Sequence, residues 1–145
     1  MKIISTKVHG VIDYVVGVFL TASPWILGFA GTSNTGRDDT FGEYGSETYI
    51  PVIMGILLLV YSMFTNYELG LARRITMKTH LVLDFCSGVF LAASPWLFNF
   101  ADHVQLPHLI IGLLEIGAAL FTNAAPQHLG KRSLGGATHA HSHHS

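Results

Sequence analysis

Charge is scarce in this chain. Only 12% of the 145 residues are charged, against about a quarter in ordinary soluble domains. Half are hydrophobic, and a soluble domain of this size could not hide so much apolar surface behind so few charges. The formal net charge is -1, so no basic surface for nucleic acid is expected. Cysteine is nearly absent as well. The single Cys86 excludes an internal disulfide and a cysteine-based zinc site. It stands in an apolar run and reads as a small hydrophobe. The sequence also lacks a nucleophile paired with a base, a phosphate loop and a nucleotide fingerprint. No enzyme is expected, and no cofactor by default.

What the chain has is long apolar runs. Four lie near Val11–Phe29, Ile50–Tyr67, Leu81–Phe100 and Leu106–Asn123. Each approaches the roughly 20 residues that a helix needs to cross a bilayer. The apolar residues keep no strict helical stripe, as expected when lipid surrounds the helix. The first run resembles a signal peptide, with Lys2 and Lys7 ahead of it. Asp13 inside it, and an internal recurrence of the same pattern, mark it instead as mature structure.

The recurrence is specific. At a shift of 71, Lys7, His9, Val11, Asp13, Gly17, Val18, Phe19, Leu20, Ala22, Ser23, Pro24, Trp25 and Phe29 all reappear. Shared apolar composition cannot produce matching His, Asp, Lys, Pro and Trp. At a shift of 57, Gly55 answers to Gly112, and Phe64-Thr65-Asn66 answers to Phe121-Thr122-Asn123. The first copy therefore carries 14 extra residues, in the polar stretch GTSNTGRDDTFGEYGSE, which reads as a loop. Each copy is a helical hairpin, and two crossings return the chain to its starting side. The copies are then parallel, related by an axis along the membrane normal. Lys2, Lys7, Arg73, Arg74, Lys78, Lys131 and Arg132 fall on one side, and Arg37 alone on the other. That bias predicts a multi-pass protein of the cell membrane with both termini cytoplasmic.

Duplicated hairpins with Ser-Pro-Trp closing the first helix of each resemble the SPW-repeat family of small integral membrane proteins. The resemblance covers about residues 5–123. It implies an all-α fold of four membrane helices, and it brings no reaction or cofactor. The first repeat is read as residues 1–67, with an external loop at 30–48, and the second as 68–123. Residues 124–145 form a His-rich cytoplasmic tail that is expected to be disordered. In it, His139, His141, His143 and His144 could bind metal loosely.

Two constellations stand out. Pro24 and Pro95 cannot donate a backbone hydrogen bond, so each kinks or ends its helix. A nearby hydroxyl, Ser23 or Ser94, or a neighbouring helix is expected to satisfy the freed carbonyl. Trp25 and Trp96 are expected at headgroup depth, about 24 Å from His9 by helical rise. The second constellation lies at the cytoplasmic end. His9 and Asp13, four apart, share a helix face, and His80 and Asp84 repeat the pair. Gly17 and Gly88 allow close helix approach. Asn66 and Asn123 end their helices at the same depth and could join the cluster. Ionisable groups within a span usually face the bundle interior with a partner. The favoured reading is structural, with Asp bonding His or the neighbouring hairpin. A metal or haem on His9 and His80, with Asp13 and Asp84 orienting the rings, is one alternative. A proton-linked transporter using Asp13, Asp84 and Glu115 is another. Glu115 breaks the repeat, since its counterpart is Leu58, and a protonated carboxyl bonded to a neighbouring helix is the plainer reading. The function expected is a non-catalytic membrane module, structural or accessory, whose partners are lipid and either a further copy or another membrane protein.

Overall fold

A computed structural model describes residues 3–32 and 44–124. The chain forms four α-helices: α1 (Thr6–Ile26), α2 (Ser46–Phe64), α3 (Met77–Leu97) and α4 (Leu106–Phe121). The all-α expectation holds, and among the described residues only isolated β-bridges accompany the helices. The centre of the long loop, with Arg37, and the tail with its histidines lie outside the described residues. By length and composition, α2 and α3 can cross a membrane, while α4 is apolar but has 16 residues.

The first and third helices start earlier than their apolar runs because capping residues precede them. Ser5 Oγ accepts the Val8 N–H at 3.3 Å, and Thr76 Oγ1 accepts the Thr79 N–H at 3.2 Å. Each satisfies one of the amides that a helix start leaves unpaired. The helices pack in sequential pairs, α1 on α2 and α3 on α4, and α2 touches α3. Glycine permits the close crossing inside each pair. A Cβ on Gly55 would meet the Gly17 carbonyl oxygen at 2.7 Å, and a Cβ on Gly88 would meet the Gly112 carbonyl oxygen at 2.7 Å. Any larger side chain would push the helices apart.

The SPW segment ends the helix by a defined device. Proline at 24 and 95 leaves the carbonyls of Leu20 and Leu91 without their helical donors. The hydroxyls of Ser23 and Ser94 donate to those two oxygens at 2.9 and 2.7 Å. The helix then runs on for two residues beyond each proline. Gly28 (φ 71) and Asn99 (φ 57) follow in the left-handed conformation. The N–H groups of Phe29 and Phe100 reach back to the carbonyls of Pro24 and Pro95, both at 2.9 Å. This is the Schellman closure. Proline sets up the stop, and the residue after the cap completes it. Trp25 and Trp96 face outward there, about half exposed.

At the opposite end, the strand-like residue before each odd helix pairs with the end of an even one. Ile4 bridges to Thr122, and Thr65 bridges to Ile75. Burial is inverted relative to a soluble protein. His9, Asp13, Glu47, Ser62, Thr65, His80, Asp84, His108 and Thr122 are buried. Val15, Val18, Ile53, Val82, Leu113 and Leu114 are exposed. The small apolar core of Leu20, Ile50, Leu91, Phe100 and Ile111 sits toward the SPW end.

Candidate functional site

The two His/Asp pairs meet between α1 and α3, toward the end of the bundle opposite the SPW turns. On α1 the helical repeat sets His9 and Asp13 on one inward face, and α3 does the same for His80 and Asp84. Bonding is nevertheless crossed. His9 Nε2 lies 2.9 Å from Asp84 Oδ2, and His80 Nε2 lies 3.0 Å from Asp13 Oδ2. The contacts within a helix are longer, 3.4 Å for His9–Asp13 and 3.2 Å for His80–Asp84. All four residues are at most 4% exposed. The imidazoles meet edge to face with ring centres 5.3 Å apart.

The other ring nitrogens fix the protons. Thr122 Oγ1 donates its only hydrogen to the Ala118 carbonyl at 2.6 Å, and Thr65 Oγ1 donates to the Tyr61 carbonyl at 2.7 Å. Each hydroxyl can then only accept from the imidazole beside it. His9 Nδ1 therefore donates to Thr122 and His80 Nδ1 to Thr65, both at 2.9 Å. With Nδ1 protonated, each crossed Nε2–carboxylate contact holds one further proton. It is either an imidazolium facing a carboxylate or an imidazole facing a carboxylic acid. Both forms leave the cluster neutral, which limits the cost of burying it.

The site departs from symmetry at several positions. Tyr61 donates to Asp84 Oδ1 at 2.7 Å. The residue matching Tyr61 at the shift of 57 is Ala118, so Asp13 has no phenol. Besides the two histidines, it has the Ser62 hydroxyl at 3.5 Å. A cavity of about 20 Å³, lined by His9, Asp13, Asp84, Glu115 and Ala118 among others, opens on that side. It is large enough for one water. Glu115 accepts from Ser87 Oγ at 3.2 Å and borders this cavity. Both Ser87 and Glu115 lack polar counterparts, since Val16 and Leu58 stand at the matching positions.

Two expectations are corrected. Asn66 and Asn123 do not place their side chains in the cluster, because both are exposed. Their backbone N–H groups bond the carbonyls of Ile75 and Ile4 instead, at 2.7 and 2.9 Å. The buried threonines immediately before them take the place beside the histidines. The aspartates do not stand behind the histidines to orient them. They share the Nε2 side, and the threonines do the orienting. Ser23, Pro24, Trp25, Ser94, Pro95 and Trp96 lie at the other end of the molecule and form no part of this site.

His108 and Glu47 stand outside the repeated motifs. Both are buried near the SPW end, where His108 Nε2 donates to the Glu47 carbonyl at 3.2 Å. The His108 ring packs on Phe29 and Phe100, so it helps to seat the two Schellman turns. A polar residue within an apolar helix start was the available signal.

Paired helical hairpins, each closed by Ser-Pro-Trp and joined through a buried polar cluster, define the class of fold. The sequence model of the SPW repeat domain matches residues 7–122, and the chain belongs to that family. No curated protein and no solved structure matches the chain.

Proposed function

We propose that the chain is a non-catalytic, multi-pass membrane protein in which the crossed His–Asp pairs lock two parallel hairpins together. The observation that carries the reading is the inverted burial. Large aliphatic side chains ring the outside while His, Asp, Ser and Thr fill the inside. In water that arrangement wastes the hydrophobic effect and desolvates polar groups. In lipid it is what the solvent demands, because unpaired polar groups are costly there.

Family membership and two helices able to cross a membrane support the same reading. Charge supports the orientation. Lys7, Arg73, Arg74 and Lys78 are exposed at the cluster end, and Asp102 is exposed at the SPW end, so the cluster end is cytoplasmic by the positive-inside rule. Each hairpin alone would hold an imidazole and a carboxylate in hydrocarbon with poor geometry. Pairing the hairpins satisfies both. The cluster thus sets which hairpins associate, and in what register, as interhelical polar bonds do in membranes. Such a module serves as a scaffold or accessory subunit.

The test is fractionation and topology. The protein should stay with membranes through alkaline carbonate washing, and tags at the two ends should be reached by a probe from the cytoplasmic side only. Extraction by carbonate, or ends on opposite sides, would refute it.

A further inference from the structure

We infer that the crossed cluster is a binding site for one divalent transition-metal ion of the Zn2+ or Co2+ type, with His9, His80, Asp13 and Asp84 as its four ligands. The inference deepens the reading of the cluster as a lock, and it does not depend on membrane orientation.

The distances carry it. One donor atom from each residue can be chosen so that all four lie within 4.8 Å of one another. With Oδ2 as the donor of both aspartates, three imidazole-to-carboxylate edges are 2.9, 3.0 and 3.2 Å, while His9 Nε2 lies 3.4 Å from the other Asp13 oxygen, Oδ1. A four-coordinate ion with bonds of about 2.0 Å has ligand–ligand edges of about 3.3 Å. Those three edges match that value, and side-chain adjustments within the 4.8 Å limit would bring the remaining donors to an ion at the centre. Two imidazoles and two carboxylates are among the donors that Zn2+ takes.

The surroundings carry it further. A metal-bound imidazole needs one nitrogen free and the other protonated and held by an acceptor. The hydroxyls of Thr65 and Thr122 impose that tautomer on both rings and leave Nε2 for the ion. Asp84 is steadied in turn by the Tyr61 hydroxyl. Charge also balances. A dication that replaces the two protons of the crossed contacts leaves the buried site neutral, as before. The cavity beside Asp13 offers one open position with room for a water, which Glu115 can reach.

The His-rich tail would bind metal too, so the experiment uses the full-length chain with His139, His141, His143 and His144 replaced by Ala. The protein is expressed in medium supplemented with Zn2+, purified in detergent, and assayed for metal per chain. A second sample is loaded with Co2+ and its visible spectrum recorded. We expect one ion per chain and the intense absorption of four- or five-coordinate Co2+. Asp13→Asn and Asp84→Asn should abolish both, Glu115→Gln should retain the ion, and Thr65→Val and Thr122→Val should weaken affinity about 10–100-fold. Should the aspartate variants fail to fold, the intact cluster still decides. X-ray absorption at the zinc edge should show two imidazoles and two oxygen ligands, or three oxygens where a water fills the open position. Substoichiometric metal with the cluster intact, or metal retained in Asp13→Asn or Asp84→Asn protein, would overturn the inference. The first of these results would leave the lock standing as a two-proton cluster.

Discussion

Removing the Asp84 carboxylate should be the most damaging single change in the cluster. It takes away the acceptor 2.9 Å from His9, the one 3.2 Å from His80 and the one 2.7 Å from the Tyr61 hydroxyl. Neutral interhelical hydrogen bonds in membrane proteins are worth about 0.6 kcal/mol on average and about 1.7 at most. Breaking a buried ion pair costs more, about 3–5 kcal/mol, because a charge is stranded. Asp84→Ala strands an imidazole and orphans a phenol, so about 3 kcal/mol or more is expected. Asp13→Ala should cost less, because its contacts are longer, at 3.0, 3.4 and 3.5 Å. Double-mutant cycles then separate the pairs. The crossed couplings, His9 with Asp84 and His80 with Asp13, should each lie within the range of about 0.5–3 kcal/mol seen for residues in contact. The couplings within a helix, His9 with Asp13 and His80 with Asp84, should be smaller. The assay is reversible unfolding in mixed micelles, followed by circular dichroism, for each single and double variant. A His9–Asp13 coupling equal to or above the His9–Asp84 coupling would refute the crossed arrangement, as would a cost for Asp84→Ala below about 1 kcal/mol.

Other outcomes follow from the same geometry. Ser94→Ala should cost about 1 kcal/mol by orphaning the Leu91 carbonyl, and adding Pro95→Ala should recover most of it, since the restored N–H takes over; thermal unfolding of the three variants measures both. Gly112→Leu should prevent α3 and α4 from packing, because its Cβ would meet the backbone of α3, and it is read as lost resistance to proteolysis in detergent. Asn99→Ala and Gly28→Val should each destabilise by about 1–2 kcal/mol, since both positions are left-handed and an ordinary Cβ is disfavoured there. Thr65→Val should destabilise and Asn66→Ala should not, which tests directly which residue of Phe-Thr-Asn serves the cluster.

Much of this architecture was legible in the chain itself. The repeat offsets of 71 and 57 already paired Leu20 with Leu91, Gly55 with Gly112 and Thr65 with Thr122, and these pairs occupy matching places. The role of Ser in Ser-Pro-Trp was legible because proline frees a known carbonyl and a hydroxyl one residue before it can reach back. What the sequence could not say was which partner each carboxylate takes. Spacing of four puts His9 beside Asp13 on one helix, but side chains that lean toward a helix axis also reach across it. The choice of threonine over asparagine was likewise hidden. It turns on the chain leaving helical geometry at Thr65 and Thr122, which aims the following side chain outward. The missing phenol at Ala118 could be read in the alignment, but the cavity it leaves could not.

The most direct test of the whole account asks what surrounds the bundle. Nitroxide labels at positions 15, 82 and 114, whose native valines and leucine are about 60% exposed, can be compared in liposomes for collision with oxygen and with a water-soluble nickel complex. Oxygen collisions should dominate at all three positions, since these faces meet acyl chains. Dominant nickel collisions there would mean that water, not lipid, bathes the apolar surface, and the inward-facing His–Asp lock would lose its reason to be buried.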